Sequence, residues 1–223
     1  MKPYKTYVVG SNLYTYGDGH THKTTLEIDD AVASCATIDH ICLLDSHGVA
    51  TYGNIDKEGR VEFPDDPRDF FNGPFCMLAA MPNRMFILSL GGNIYEILPK
   101  SLRLVDCGSY KQIECGSNFL IALDADGMVY RYGKWFDGNH VESPSPFWTR
   151  TVDIVCGDYH CILLQEDGQA VCYGEDEYRF DPVPNVVKIY AAGKSSLLTG
   201  TNFSKYYGGK HDSHTRSIDL HLR

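Results

Sequence analysis

The stretch VCGDYHCILLQEDGQAVCYG, residues 155–174, gathers Cys156, Asp158, His160, Cys161, Glu166, Asp167 and Cys172 within twenty positions. Thiolates and imidazoles are zinc ligands, and a thiolate beside an imidazole is an activated nucleophile. The spacing fits neither. No Cys-x-x-Cys occurs in the chain, and the gaps from Cys35 to Cys42, Cys107 to Cys115 and Cys156 to Cys161 are not those of a zinc finger. There is no Ser/His/Asp grouping at recognisable spacing, no Walker loop and no dinucleotide fingerprint; Leu-Gly-Gly at 90–92 reads as a hairpin turn. Acid pairs such as Asp29-Asp30 and Asp65-Asp66 lie in polar connectors. A second set, His20 and His22 in GDGHTHK with His211 and His214 in GGKHDSHT, could share a metal only if the two chain ends meet; exposed polar loops are the plainer reading. The sequence thus predicts a protein that is not an enzyme, with no catalytic residue, metal or cofactor.

The elements that hold these residues recur. Tyr-Gly stands at Tyr16-Gly17, Tyr52-Gly53, Tyr132-Gly133, Tyr173-Gly174 and Tyr207-Gly208, at intervals of 36, 80, 41 and 34 residues. The interval of 80 is two periods, and MFILSLGGNIYEIL at 85–98 supplies the copy in between. A period near 40 is that of a propeller blade. Residues 113–133, IECGSNFLIALDADGMVYRYG, align without a gap to residues 154–174, and residues 36–53 and 191–208 are shorter copies. Each reads as strand, bend, apolar strand, Asp/Gly turn and a strand ending in Tyr-Gly. The chain's 21 Gly and 15 Tyr agree with strands and turns.

The Cys-Gly of Cys115-Gly116 and Cys156-Gly157, His40 and His160, the Leu43-Leu44 and Leu163-Leu164 pairs, Gly127 or Gly168 in the hairpin and the closing Tyr-Gly together resemble the regulator-of-chromosome-condensation (RCC1-like) repeat family of β-propellers. The resemblance runs over nearly the whole chain, with units shorter than the family's and with six where the name-giving member has seven. It implies an all-β fold, a single propeller domain over residues 1–223, and a structural role for His160, bonding within its own blade. Phe119 and Ser196 replace His160 in other copies, which no ligand or catalytic base would tolerate. Cys156 becomes a small apolar filler of an inner strand.

The termini suggest how the ring closes. Residues 6–17 open on a hairpin lacking a preceding strand, and RSIDLHLR at 216–223 is an alternating strand with no hairpin after it. Joined, they would complete a sixth blade and hide both edges.

Function is expected to be interaction. Hydrophobic content of 43% and charged content of 22% describe an ordinary globular chain, and no apolar run is long enough to span a bilayer. The start lacks the apolar core of a secretory signal, so eight cysteines read as reduced thiols in the cytoplasm, with the nucleus as the alternative. A monomeric scaffold docking protein partners in a larger assembly is the expectation, with no membrane contact and no DNA-specific signal.

Two surfaces are candidates. The excursion at 133–150 holds Trp135, Phe136, Phe147 and Trp148, either an aromatic anchor for a partner or rings packed beneath their own loop. From residue 186 onward six cations face only Asp212 and Asp219, within a chain of net charge −9. Lys188, Lys194, Lys205, Lys210 and Arg216, with Lys2, Lys5 and Lys23 nearby on closure, could bind phosphate of the ribosome or another ribonucleoprotein. The resemblance also offers guanine nucleotide exchange on a small GTPase, since the name-giving member exchanges nucleotide on a nuclear-transport GTPase; no insertion here is long enough to guarantee that member's β-wedge.

Overall fold

The computed structural model describes residues 5–9, 12–17, 20–25, 30–58, 60–63 and 70–208. These residues form antiparallel strands with one 3-10 turn, Asp176–Tyr178. They fall into two compact units, residues 1–111 and 112–223, with the division inside one strand, Tyr110–Cys115.

The first unit holds β1 (Lys5–Val9), β2 (Asn12–Gly17) and β3 (His20–Thr25) as one sheet. A second sheet orders β4 (Ala31–Ala36), β5 (His40–Asp45), β6 (Val49–Ile55) and β7 (Val61–Glu62), with β8 (Phe70–Asn72) also on β6. A third orders β9 (Phe75–Met81), β10 (Arg84–Ser89), β11 (Asn93–Leu98) and β12 (Ser101–Cys107). β13 (Tyr110–Cys115), whose first two residues belong to the first unit, makes the fourth sheet with β14 (Phe119–Asp124), β15 (Val129–Lys134) and β16 (His140–Trp148) of the second. The fifth is β17 (Thr151–Cys156), β18 (His160–Gln165) and β19 (Ala170–Gly174), and the sixth β20 (Val186–Ala192), β21 (Ser195–Gly200) and β22 (Ser204–Tyr207). Each sequence copy is therefore one sheet. The closing strand expected at 216–223 lies outside the described residues.

The unbroken apolar runs follow from packing on both faces. In β18, Cys161 and Leu163 join Phe119, Ile121, Leu123 and Ile154, whereas Ile162 and Leu164 join Val186, Ile189 and Leu198. β5 divides likewise, with Cys42 and Leu44 packed toward Phe75 and Ile87, and Ile41 and Leu43 toward Leu13. A middle strand buried on both sides has no polar face to alternate with.

Backbone hydrogen bonds fix the spacing between sheets. At the hairpin end, Phe75 N–H donates to Gly48 O, Tyr110 to Gly92, Thr151 to Gly127 and Val186 to Gly168, at 2.8–3.4 Å. Gly92 has φ +80°, and a Cβ there would stand 2.6 Å from Gly108 O. At the other end, the bends link in series: Ile38 N–H to Pro82 O (2.9 Å), Ser117 to Asp158 (2.8 Å) and Asp158 to Gly193 (2.6 Å).

The Tyr-Gly signature has the same origin. Beyond Gly133, Lys134 N–H donates to Asn118 O (2.9 Å), and beyond Gly174, Glu175 N–H donates to Tyr159 O (3.0 Å). A Cβ on Gly133 (φ +90°) would lie 2.6 Å from Asn118 O, whereas Gly138 in the turn that follows (φ +83°) has nothing within 4 Å. Gly138→Ala should cost about 1–2 kcal/mol for the left-handed backbone alone. Gly133→Ala adds a backbone clash and should cost at least about 3 kcal/mol. Urea unfolding of the two variants checks this; equal losses would remove the close-approach explanation.

Candidate functional site

Two loops of the second unit rise at the bend end of their sheets, one at 134–139 after β15 and one at 174–179 after β19. Between them lies a cleft of about 450 Å³ lined by Trp135, Phe136, Asp137, Tyr173, Glu175 and Asp176, with Arg179. An adjoining hollow of about 240 Å³ shares Trp135, Phe136 and Glu175 and adds Asn118, Lys134, Asp158 and Tyr159. The first loop is shaped by Asp137, whose carboxylate accepts the Asn139 N–H at 2.9 Å. That bond holds its carboxyl below the usual range, and Arg131 reaches it only at 3.4 Å.

The structure brings all four predicted aromatics together. Trp135 is 7% exposed and packs edge-on to Phe119 (5.4 Å) and Phe147 (4.9 Å). Phe147 and Trp148 both meet Tyr173, at 5.0 and 5.2 Å. Trp148 Nε1 donates to Gln165 Oε1 at 2.8 Å, and Gln165 Nε2 donates to Thr151 Oγ1 at 3.0 Å. Trp135 thus packs between the fourth and fifth sheets with its ring turned inward. Phe136 is half-buried and turned to the cleft. Phe119 and Tyr173 complete the stack; the Tyr-Gly repeat marked Tyr173 without revealing that its ring meets the 133–150 excursion.

Of the basic sector only Lys188, Lys194 and Lys205 are among the described residues. Lys188 pairs across the ladder with Thr199, and Lys205 with Leu198. Neighbouring residues of a strand point to opposite faces, so these two lysines project from opposite sides of the sixth sheet. Lys194 sits in the bend, its Nζ 5.8 and 5.9 Å from the Tyr159 and Tyr178 rings, and Lys205 Nζ is 5.6 Å from Phe203. Lys2, Lys210, Arg216, His211 and His214 lie outside the described residues, as do the side chains of Lys5 and His20.

His160 shows how the apparent chemistry is absorbed. It is 1% exposed, and its Nε2 meets Ser196 Oγ of β21 at 2.7 Å. This corrects the expectation of a bond within its own blade: Gly157 leaves the bend open, a Cβ there falling 2.2 Å from the imidazole, and the ring lies across the bend toward the next sheet. Burial pushes its pKa down to about 4. Cys156 and Cys161 face each other across β17 and β18, and burial pushes both thiols far up, the opposite of activation. All eight cysteines are free thiols.

On the inner strands, Gln112 Nε2 donates to Asp153 Oδ1 (3.0 Å) and Ile154 O (2.8 Å). Glu114 stands near Asp153, and burial, then that carboxylate, raise its pKa to about 7.

A match to the regulator of chromosome condensation (RCC1) repeat covers residues 151–179, which is the fifth sheet with its 3-10 turn. The architecture is that of solved RCC1-type propellers. Saccharomyces cerevisiae Prp20p superposes with a TM-score of 0.68 at 17% identity, over 89% of this chain and 68% of that one. Human WBSCR16 gives 0.63 at 15% identity, over 82% and 61%. The described residues have the fold of an RCC1-like repeat β-propeller. The propeller is also 29% identical over 101 residues to human E3 ubiquitin-protein ligase HERC2, which covers 40% of this chain and 2% of the ligase. The Prp20p study describes that protein's binding to Gsp1p and histones.

Two predictions follow from the propeller's interior. Trp135→Ala should lower stability by about 3–5 kcal/mol, the cost of emptying a buried aromatic site; thermal unfolding that leaves Tm unchanged would refute the packing role. The second concerns pH. Between about 4.5 and 6.5 unfolding takes up a proton at His160 and releases one at Glu114, so the two slopes oppose each other. Glu114→Gln removes only the falling slope. Its stability should climb as pH rises through this window, with a gain over wild type above pH 7 bounded by about 3 kcal/mol. Denaturation midpoints at pH 4.5, 6 and 8 test it; parallel wild-type and variant curves would exclude a raised Glu114.

Proposed function

We propose that the propeller is a non-catalytic interaction module that docks a protein partner of a larger assembly against the loop end of its second unit. One observation carries the reading: the cleft of about 450 Å³ between the 134–139 and 174–179 loops, where the half-buried rings of Phe136 and Tyr173 meet exposed carboxylates. At the bend end the loops after β15 and β19 stand clear of the backbone bonds that link the bends, which leaves them for recognition. An aromatic ring partly open beside polar groups is the composition of an interface hot spot. The published binding of Prp20p to Gsp1p and histones supports protein recognition by an RCC1-type propeller. The buried, deactivated thiols and the low pKa of His160 support a role without catalysis.

Ribonucleoprotein docking through the last sheet is the second reading, and the opposed directions of Lys188 and Lys205 count against it. A photo-crosslinking residue at position 175 should capture one discrete protein species in cell extract, and the same residue at position 167, in the hairpin turn, should not. Phe136→Ala should abolish the adduct. Identical adducts from both positions, or adducts lost on nuclease treatment, would overturn the docking reading. Accelerated nucleotide release from a panel of small GTPases would replace it with exchange activity.

A further inference from the structure

The second-unit cleft has a chemistry more specific than a general docking surface. The lining of its two hollows carries four carboxylates, Asp137, Asp158, Glu175 and Asp176, against Lys134 and Arg179, with Arg131 and Lys194 beside it. Glu175 and Asp158 form no ion pair among the described residues. Asp137 and Asp176 are held by Arg131 and Arg179 only at 3.4 and 3.5 Å, with Asp176 98% exposed, so neither carboxylate is saturated. The floor is aromatic: Phe136, Tyr173 and Tyr159 are half-buried at its surface. The same surface already holds cations in this way. Arg131 places its guanidinium 5.4 Å from the Trp135 ring while reaching Asp137, and Lys194 stands 5.8 Å from the Tyr159 ring.

We infer that this cleft recognises an arginine-bearing extended peptide segment of its protein partner, with guanidinium groups over Phe136 and Tyr173 and bonded to Glu175, Asp176 and Asp137. The inference rests on the docking reading above and names its ligand. A carboxylate rim alone would attract any cation; the aromatic floor selects a flat one. Guanidinium is planar, weakly hydrated and forked, so it stacks on a ring and pairs with a carboxylate at once, whereas an ammonium is a compact, strongly hydrated charge. An unfilled aromatic surface of this size beside replaceable ion pairs suits side chains of that length. A phosphate-bearing ligand would meet the excess of carboxylates and be repelled.

The test uses three fluorescent Gly/Ser dodecapeptides carrying four spaced arginines, four lysines or four citrullines, with binding to the whole chain followed by anisotropy at two salt concentrations. The arginine peptide should bind more tightly than the lysine peptide and the citrulline peptide least. Combined substitution D137N/E175Q/D176N should weaken the arginine peptide about tenfold or more. Phe136→Ala should erase the preference for arginine over lysine. The control D126N/E166Q/D167N removes the same charge at the hairpin turns and should leave binding unchanged. Equal weakening by both triple variants would mean bulk charge only and would overturn the inference, as would equal affinity for arginine and lysine peptides. If crosslinking from position 175 still depends on Phe136 while no arginine peptide binds, docking stands and this ligand assignment falls. Loss of both removes the site.

Discussion

In four of the sheets the carbonyl of the hairpin glycine accepts the N–H at the start of the strand that opens the next sheet, and the packing of the middle strands is built around that contact. It occurs at Gly48, Gly92, Gly127 and Gly168. At Gly48 and Gly92 this contact brings the two backbones within 3 Å of where a Cβ would stand, and at all four positions the positive φ itself favours glycine. Gly92 makes the constraint plain, with Gly108 O where a Cβ would be. Once adjacent sheets are held at this separation, the strand between them is enclosed on both faces, and only apolar or small side chains fit. The runs Phe119–Leu123 and Ile162–Leu164 are consequences of that enclosure, every residue of them being at most 6% exposed.

Enclosure also converts reactive residue types into inert ones. A thiol loses its nucleophilic form when burial disfavours the thiolate, and Cys35, Cys42, Cys156 and Cys161 are all pushed up for that reason. Cysteine is retained there for its size. His160 follows the same logic: kept neutral by burial, its ring bridges two sheets through Ser196, with Nδ1 left without a partner. An unsatisfied buried nitrogen carries a cost. The Gly157 backbone lies against the Cε1–Nδ1 edge of the ring, which explains why no polar group among the described residues reaches that side.

Sequence periodicity exposed the sheets, their strand order and the structural character of the 155–174 cluster, because those features depend on residue type at fixed spacing. Tyr-Gly was legible as a mark of each copy; that its glycine clears the Asn118 or Tyr159 carbonyl was not, since the carbonyl lies about fifteen residues away in the chain. Lys188 and Lys205 show a sharper limit. Composition counts Lys188 and Lys205 as neighbours, but a bulge between Val186 and Lys188 sets the register of β20, and register decides the face. The four aromatics were found by type, while their division of labour came from packing: Trp135 fills space and Phe136 meets solvent. The direction of the His160 bond escaped for the same reason, because the resemblance carried a role and only the open bend at Gly157 supplies a direction.

What varies between copies then locates specificity. The cleft flanking Tyr52-Gly53-Asn54 in the first unit takes up about 370 Å³ and is lined by His40, Tyr52, Phe63 and Pro99, with Glu62 and Lys100 as its charges. That lining is balanced in charge and largely apolar. The cleft flanking Tyr173-Gly174-Glu175 carries an excess of carboxylate at the corresponding place in its repeat. The repeated backbone contacts cannot distinguish the two hollows, since they involve main-chain atoms alone. The residues following Tyr-Gly differ, Asn54 leading into a short strand and a phenylalanine and Glu175 into an acidic 3-10 turn, and so do the loops opposite, Pro99-Lys100 in one and Trp135-Phe136-Asp137 in the other. Recognition in this propeller is therefore written in the few residues the packing does not constrain, and the fold fixes where they stand while leaving their chemistry free.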